Sequence, residues 1–220
     1  PVNRFSLSNP LFPIVAAVIL LLFPTSPARP TESDLPPPTR GDIWFDADVC
    51  SFRFKDGAGY EEISIRFPVS QFKFYRQASG RHLSTYVLEL EVFDPSGELV
   101  KQVGGESRLE VASTEVAVDA DRYFNDMVQI QLAPGNYRAE LTLTDLHTSK
   151  SGRVALSLEV PPFEQGTFGI SDIYLASGID PRGRTDRLEI FRKGSHVVLP
   201  NPGRTCFVGN PLFFYFEIYD

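Results

Sequence analysis

Within residues 118–126, VDADRYFND, four oxygen-bearing side chains fall close together: Asp119, Asp121, Asn125 and Asp126. Hard cations such as calcium take clustered carboxylate and amide oxygens, so this is the chain's candidate metal site. The spacing lacks the central glycine and terminal glutamate of a helix-loop-helix calcium loop. A solvated acidic loop between strands is the simpler account, and no metal or cofactor is assigned. Asp46 and Asp48 alternate along one apparent strand and could share a face as paired carboxylates for acid-base work. Nothing nearby in the sequence supplies a cleft or a third acid. His82, His147 and His196 stand singly, without the HExxH spacing of metal hydrolases. No GxSxG elbow or GxxxxGK[ST] loop is present. Arg182, Arg184 and Arg187 are interleaved with Asp180, Asp186 and Glu189, which reads as a solvated loop before an anion site. The expectation is a protein that is not an enzyme.

Two further residue classes bear on binding. Phe72, Phe74 and Tyr75 flank Lys73, and Phe213, Tyr215 and Tyr219 crowd the last nine residues. Rings at neighbouring positions fall on both faces of a strand, so one face must be core. The other is an interface with a neighbouring domain or partner, or else a sugar platform; the interface is the favoured reading. Cys50 and Cys206 have no CxxC spacing and suggest neither zinc nor a redox centre. Two separately buried thiols are expected, with pairing in an oxidising compartment as the alternative. A formal charge of -7 argues against nucleic-acid binding, which needs a basic face.

The elements that would position these residues are strands. Residues 132–160 carry the clearest pattern. After Pro134-Gly135, Tyr137, Ala139, Leu141 and Leu143 alternate with Arg138, Glu140, Thr142 and Thr144. A polar loop over 147–152 reverses the chain into Val154, Leu156, Leu158 and Val160. Tyr137, entering this penultimate strand, resembles a tyrosine corner. Upstream, Ile63, Ile65, Phe67 and Val69 alternate cleanly, and Pro68 suggests an edge strand. Residues 43–54 look bulged or peripheral, and Tyr86, Leu88, Leu90 and Val92 lead to a turn at Asp94-Pro95-Ser96-Gly97. Residues 99–103 complete that hairpin, and 109–118 are weakly patterned. Seven or eight short strands with no convincing helix predict an immunoglobulin-like antiparallel β-sandwich over 42–162.

Before this domain, Arg4 precedes a 13-residue apolar run over 11–23. That length suits the core of a signal peptide, whereas a membrane-spanning helix needs about 20 apolar residues. Ser26-Pro27-Ala28 offers a cleavage site, so 1–28 is expected to be a signal peptide, with an uncleaved anchor as the rival. Residues 29–41, rich in proline, read as an extended spacer.

Beyond Pro161-Pro162, residues 163–220 begin a second β domain. SDIYLA over 171–176 is expected to be a strand, as are 188–191 and 196–199. Glu91-Val92-Phe93-Asp94 corresponds to Glu217-Ile218-Tyr219-Asp220 at a spacing of 126 residues, as if a second sandwich stopped midway. Half a sandwich would leave Phe214, Phe216 and Ile218 without an opposing sheet, so the natural chain is expected to continue past Asp220.

The exported N-terminus, the SDIYLA segment, LPNP over 199–202 and the aromatic segment 211–219 together resemble the N-terminal part of bacterial proteins named for a C-terminal GWxTD motif. The resemblance spans most of 42–220; the motif itself is absent, the only tryptophan being Trp44. It implies export and tandem β domains and supplies no catalytic residue. The expected function is a non-enzymatic scaffold or protein-interaction module, periplasmic or extracellular, whose mature form has no transmembrane span. Its expected partners are other envelope proteins or its own missing C-terminal domain. The alternative is a carbohydrate-binding sandwich attached to a processing domain missing from the C-terminus.

Overall fold

The structure is a computed structural model that describes residues 36–54, 58–164, 166–181 and 186–220. The expected signal peptide, most of the spacer, residues 55–57, Arg182, Arg184 and the side chain of Arg187 lie outside the described residues. The first unit comprises β1 (Arg40–Gly41), β2 (Asp46–Arg53), β3 (Gly59–Pro68), β4 (Tyr75–Arg76), β5 (His82–Phe93), β6 (Leu99–Val111), β7 (Tyr123–Leu132), β8 (Gly135–Asp145) and β9 (Ser151–Val160). A one-turn helix, α1 (Thr114–Ala117), separates β6 from β7.

Among the described residues, β2-β3-β7 form one antiparallel sheet. It faces a second sheet of order β9-β8-β5-β6, which β1 extends past β9. The chain changes sheets after β1, β3, β6 and β7, giving the predicted immunoglobulin-like sandwich. Period-2 alternation is what drives it: Tyr86, Leu88, Leu90 and Val92 of β5 and Ala139, Leu141 and Leu143 of β8 point inward, against Ile63, Ile65 and Phe67 of β3. Phe67 anchors the centre, its ring 5.0 Å from Phe72, 5.4 Å from Tyr86 and 5.7 Å from Phe124. The Tyr137 hydroxyl donates to the Ala133 carbonyl at 3.0 Å, closing the expected tyrosine corner at the turn into β8.

Several local expectations are corrected. Pro68 does not mark an edge: β3 is the central strand of its sheet, and Pro68 stands at its last position, where a missing N–H interrupts no further ladder. Residues 43–54 do hold an edge strand, β2, but it starts only at Asp46; the chain before it crosses between sheets, burying Ile43 and Phe45. The weak pattern of 109–118 spans two elements, the last three residues of β6 and then α1, neither long enough there to show a period.

At the other edge β1 is clamped onto β9. The Asp42 amide donates to the Ser151 carbonyl at 2.7 Å, and Gly152 lies directly beneath the Ile43 carbonyl, leaving no room for a Cβ. Gly152→Ala is therefore expected to lower the unfolding free energy by about 3 kcal/mol, because the clashing atom is a backbone carbonyl that cannot rotate away. Urea denaturation of the two proteins checks this.

The second unit contains β10 (Gly169–Ile170), β11 (Tyr174–Asp180), β12 (Arg192–Lys193), β13 (His196–Pro200), β14 (Phe213–Tyr215) and β15 (Ile218–Tyr219). Four of them form a sheet of order β12-β13-β11-β14, while β10 pairs with β15. Residues 188–191 are not a strand but part of a 3-10 turn over Asp186–Phe191, with Phe191 buried. A short apolar run carries no period to separate the two conformations. The final segment also departs from its counterpart in β5: it breaks at Phe216-Glu217 into β14 and β15, which pair with different strands.

Candidate functional site

Because β3 alternates between two faces and both are covered, its outer face is where the two units meet. Cys50 and Phe52 of β2 join Tyr174, Ala176 and Val198 in one buried cluster, with Tyr60, Met127, Phe213 and Tyr215 packed around it. Lys193 enters this cluster from β12. Its Nζ lies 2.6 Å from Glu62 Oε1 and 3.7 Å from the centre of the Phe52 ring. The rings of Tyr215 and Tyr174 stand 5.6 and 5.7 Å away. The chain's own lysine thus fills an aromatic and carboxylate cage of the kind that binds ammonium groups. Burial raises the Glu62 carboxyl, and Lys193 draws it back down. The side chains of Lys193 and Glu62 are only 8% and 3% exposed, so neither can reach a solute. The pair is a clasp between units.

Polar ties flank it. Asp172 and Ser51 exchange two bonds: the Ser51 amide donates to Asp172 Oδ2 at 2.8 Å, and the Asp172 amide to the Ser51 carbonyl at 3.1 Å. The Arg53 amide donates to the Tyr219 hydroxyl at 2.9 Å, and the Arg53 guanidinium covers the Tyr219 ring. Burial pushes that phenol up to about 12. Behind Ser51, on the inner face, Glu61 is fully buried and accepts a 2.6 Å bond from the Ser51 hydroxyl. Burial raises its carboxyl to about 7.

The residues singled out by chemistry do not converge. Asn125 and Asp126 are consecutive in β7 and point to opposite faces. Asp126 turns inward to accept a 2.5 Å bond from the Tyr86 hydroxyl, while Asp119 accepts the Asp121 amide within its own turn. Among the described residues no three His, Cys, Asp or Glu side chains gather as a metal site. Asp46 and Asp48 do share a face, but each is bound to an arginine, Arg66 at 2.8 Å and Arg204 at 2.6 Å. The thiols are both free, yet only Cys50 is buried; Cys206 is exposed, contrary to expectation. Burial, reinforced by Asp48, Asp172 and Glu62, drives the Cys50 thiol far up and leaves it inert.

The aromatic groups are likewise divided. Phe72 is core and Phe74 packs against it, so in that trio only Tyr75 is open, edge-on to the His147 ring at 4.7 Å. Phe213 and Tyr215 face the junction, and Tyr219 is buried. The exposed rings are instead Phe214 and Phe216, stacked 6.3 Å apart. Phe214 lies opposite Leu175, and Ile218 opposite Ile170, in their ladders. With Ile173 they make an apolar strip whose members, Leu175 aside, are 40 to 64% exposed. A second open pair, Trp44 and Tyr123, lies 6.3 Å apart on the sandwich.

Compared with known proteins, the chain matches no family model and no curated protein. Among the described residues no helix is long and apolar enough to cross a membrane. Sequence reasoning missed Glu61, Glu62, Lys193 and the Trp44-Tyr123 pair. The one available signal was Glu61-Glu62 running directly into the Ile63 alternation: in a strand, consecutive acids must take opposite faces, and here both faces are buried.

Proposed function

We propose that the chain is an exported, non-enzymatic β-sandwich module that holds other proteins in a bacterial envelope. The observation that carries this is the strip of Ile170, Ile173, Phe214, Phe216 and Ile218 on the outer face of the second unit, beside a junction in which Lys193 and Glu62 are buried against each other. Contiguous exposed apolar surface of this kind marks interaction sites. The resemblance to GWxTD-motif proteins supports the placement outside the cytoplasm. Phe214→Ser/Phe216→Ser is expected to abolish cross-linking of the chain to envelope proteins without changing its melting temperature; unchanged cross-linking overturns the reading. A second reading, carbohydrate binding, rests on Trp44 and Tyr123, since paired open rings suit a sugar face. Retention on polysaccharide that Trp44→Ala removes would favour it.

A further inference from the structure

Among the described residues the outer edge of β9 is left unfinished. On one side β9 pairs with β8 along its whole length, from Gly135↔Val160 to Thr144↔Ser151. On the other side β1 pairs with it only at Arg40↔Arg153 and Gly41↔Gly152, and no described strand continues along residues 154–160. Extending that register would place Thr39, Pro38, Pro37 and Pro36 opposite Val154, Ala155, Leu156 and Ser157. Proline has no N–H, so this segment lies over the edge without completing the ladder. It leaves a slot of two compartments that share Pro37, Pro38 and Ala155 as walls, one of about 750 Å³ between β9 and β2 and one of about 400 Å³ over the outer face of β8 and β9.

The charge of the slot differs from that of the protein. Arg40, Arg138 and Arg153 line one compartment with Glu140 as the only carboxylate among the described lining residues, and Arg204 with Asp48 lines the other. Arg138 and Arg153 both engage Glu140. Four guanidinium groups thus meet two carboxylates in a chain whose formal charge is -7. Val49 and Leu156 supply an apolar floor.

We propose that this slot receives an extended acidic peptide strand from a partner protein, which displaces residues 36–38 and adds to β9. Backbone bonds to the free edge provide affinity, and carboxylates on the outward face meet Arg40, Arg138 and Arg153. The site is separate from the Phe214 strip, so it stands or falls independently of that surface.

The test uses the full chain and a fluorescein-labelled peptide of alternating glutamate and valine, with an alternating lysine and valine peptide as control. The acidic peptide is expected to bind and to slow amide exchange over 154–160, and Arg138→Glu/Arg153→Glu to weaken it about tenfold or more. A Pro36→Thr/Pro37→Val/Pro38→Thr variant, which can complete its own ladder while keeping every arginine, is expected to lose peptide binding and gain thermal stability. Equal binding of the lysine peptide, undiminished binding by the proline-replaced variant, or absence of binding overturns the proposal. So does a dimer in sedimentation that the proline replacement dissolves, because the occupant is then a second copy of the chain.

Discussion

Lys193→Ala is expected to lower the unfolding free energy by about 3–5 kcal/mol, as removing one partner of a buried ion pair does. The physical reason is what remains. Glu62 would keep a carboxylate that burial already disfavours, having lost both the 2.6 Å bond and the cation that lowers it. The Phe52, Tyr174 and Tyr215 rings would also surround an empty volume where the lysine stem lay. Lys193→Met/Glu62→Gln restores volume and removes the charge, so it should recover most of the loss. Urea denaturation of the three proteins measures this, with amide exchange over β11 and β13 reporting whether the second unit loosens first. A double variant no more stable than Lys193→Ala would sink the clasp as the cause.

Glu61 should make the sandwich lose stability as the pH rises through neutrality. Its folded carboxyl sits at about 7 against an ordinary 4.5, so between those values the folded state holds more protons than the unfolded state. The contribution is fully present below about pH 4.5 and lost as the pH rises through about 7. At about 1.4 kcal/mol per unit, the shift corresponds to a loss of about 3 kcal/mol by pH 8.5. Glu61→Gln keeps the shape and the Ser51 contact and removes the proton. Relative to wild type it should be near neutral at pH 4.5 and more stable by about 2–3 kcal/mol at pH 8.5. Urea midpoints for both proteins across that range decide it; parallel curves would show that Glu61 is not the titrating group. Comparing the pair also separates Glu61 from Glu62 and Asp126, whose carboxyls burial raises as well.

Much of the sandwich was legible because one face of each sheet is core and the other polar over most of its length. β8 and β9 are the clearest case: the inward positions from Ala139 to Leu143 and from Val154 to Val160 follow period 2 without exception. Tyr137 was legible for a different reason, since its corner bond spans only four residues and depends on a local turn. β3 was read only in part. Its inner row of Ile63, Ile65 and Phe67 was evident, but its outer row is buried by the second unit, more than a hundred residues later in the chain. Nothing local to Glu62 or Lys193 therefore marked the two as partners.

The candidate sites fared according to the same distinction. Nearness along the chain grouped Asp119, Asp121, Asn125 and Asp126, yet a strand sends consecutive side chains to opposite faces, and Asp126 went to Tyr86. Phe72 and Phe74 were drawn into the core by the 3-10 turn over Val69–Gln71 that follows β3. The sequence by itself determined the all-β class, the inward rows of the sandwich and the turn chemistry, because these depend on period and on residues a few positions apart. The tertiary structure decided which unit covers the outer face of β3, where Lys193 ends, and how short the pairing of β1 with β9 is. Those outcomes depend on pairings between distant segments, and no local pattern encodes them.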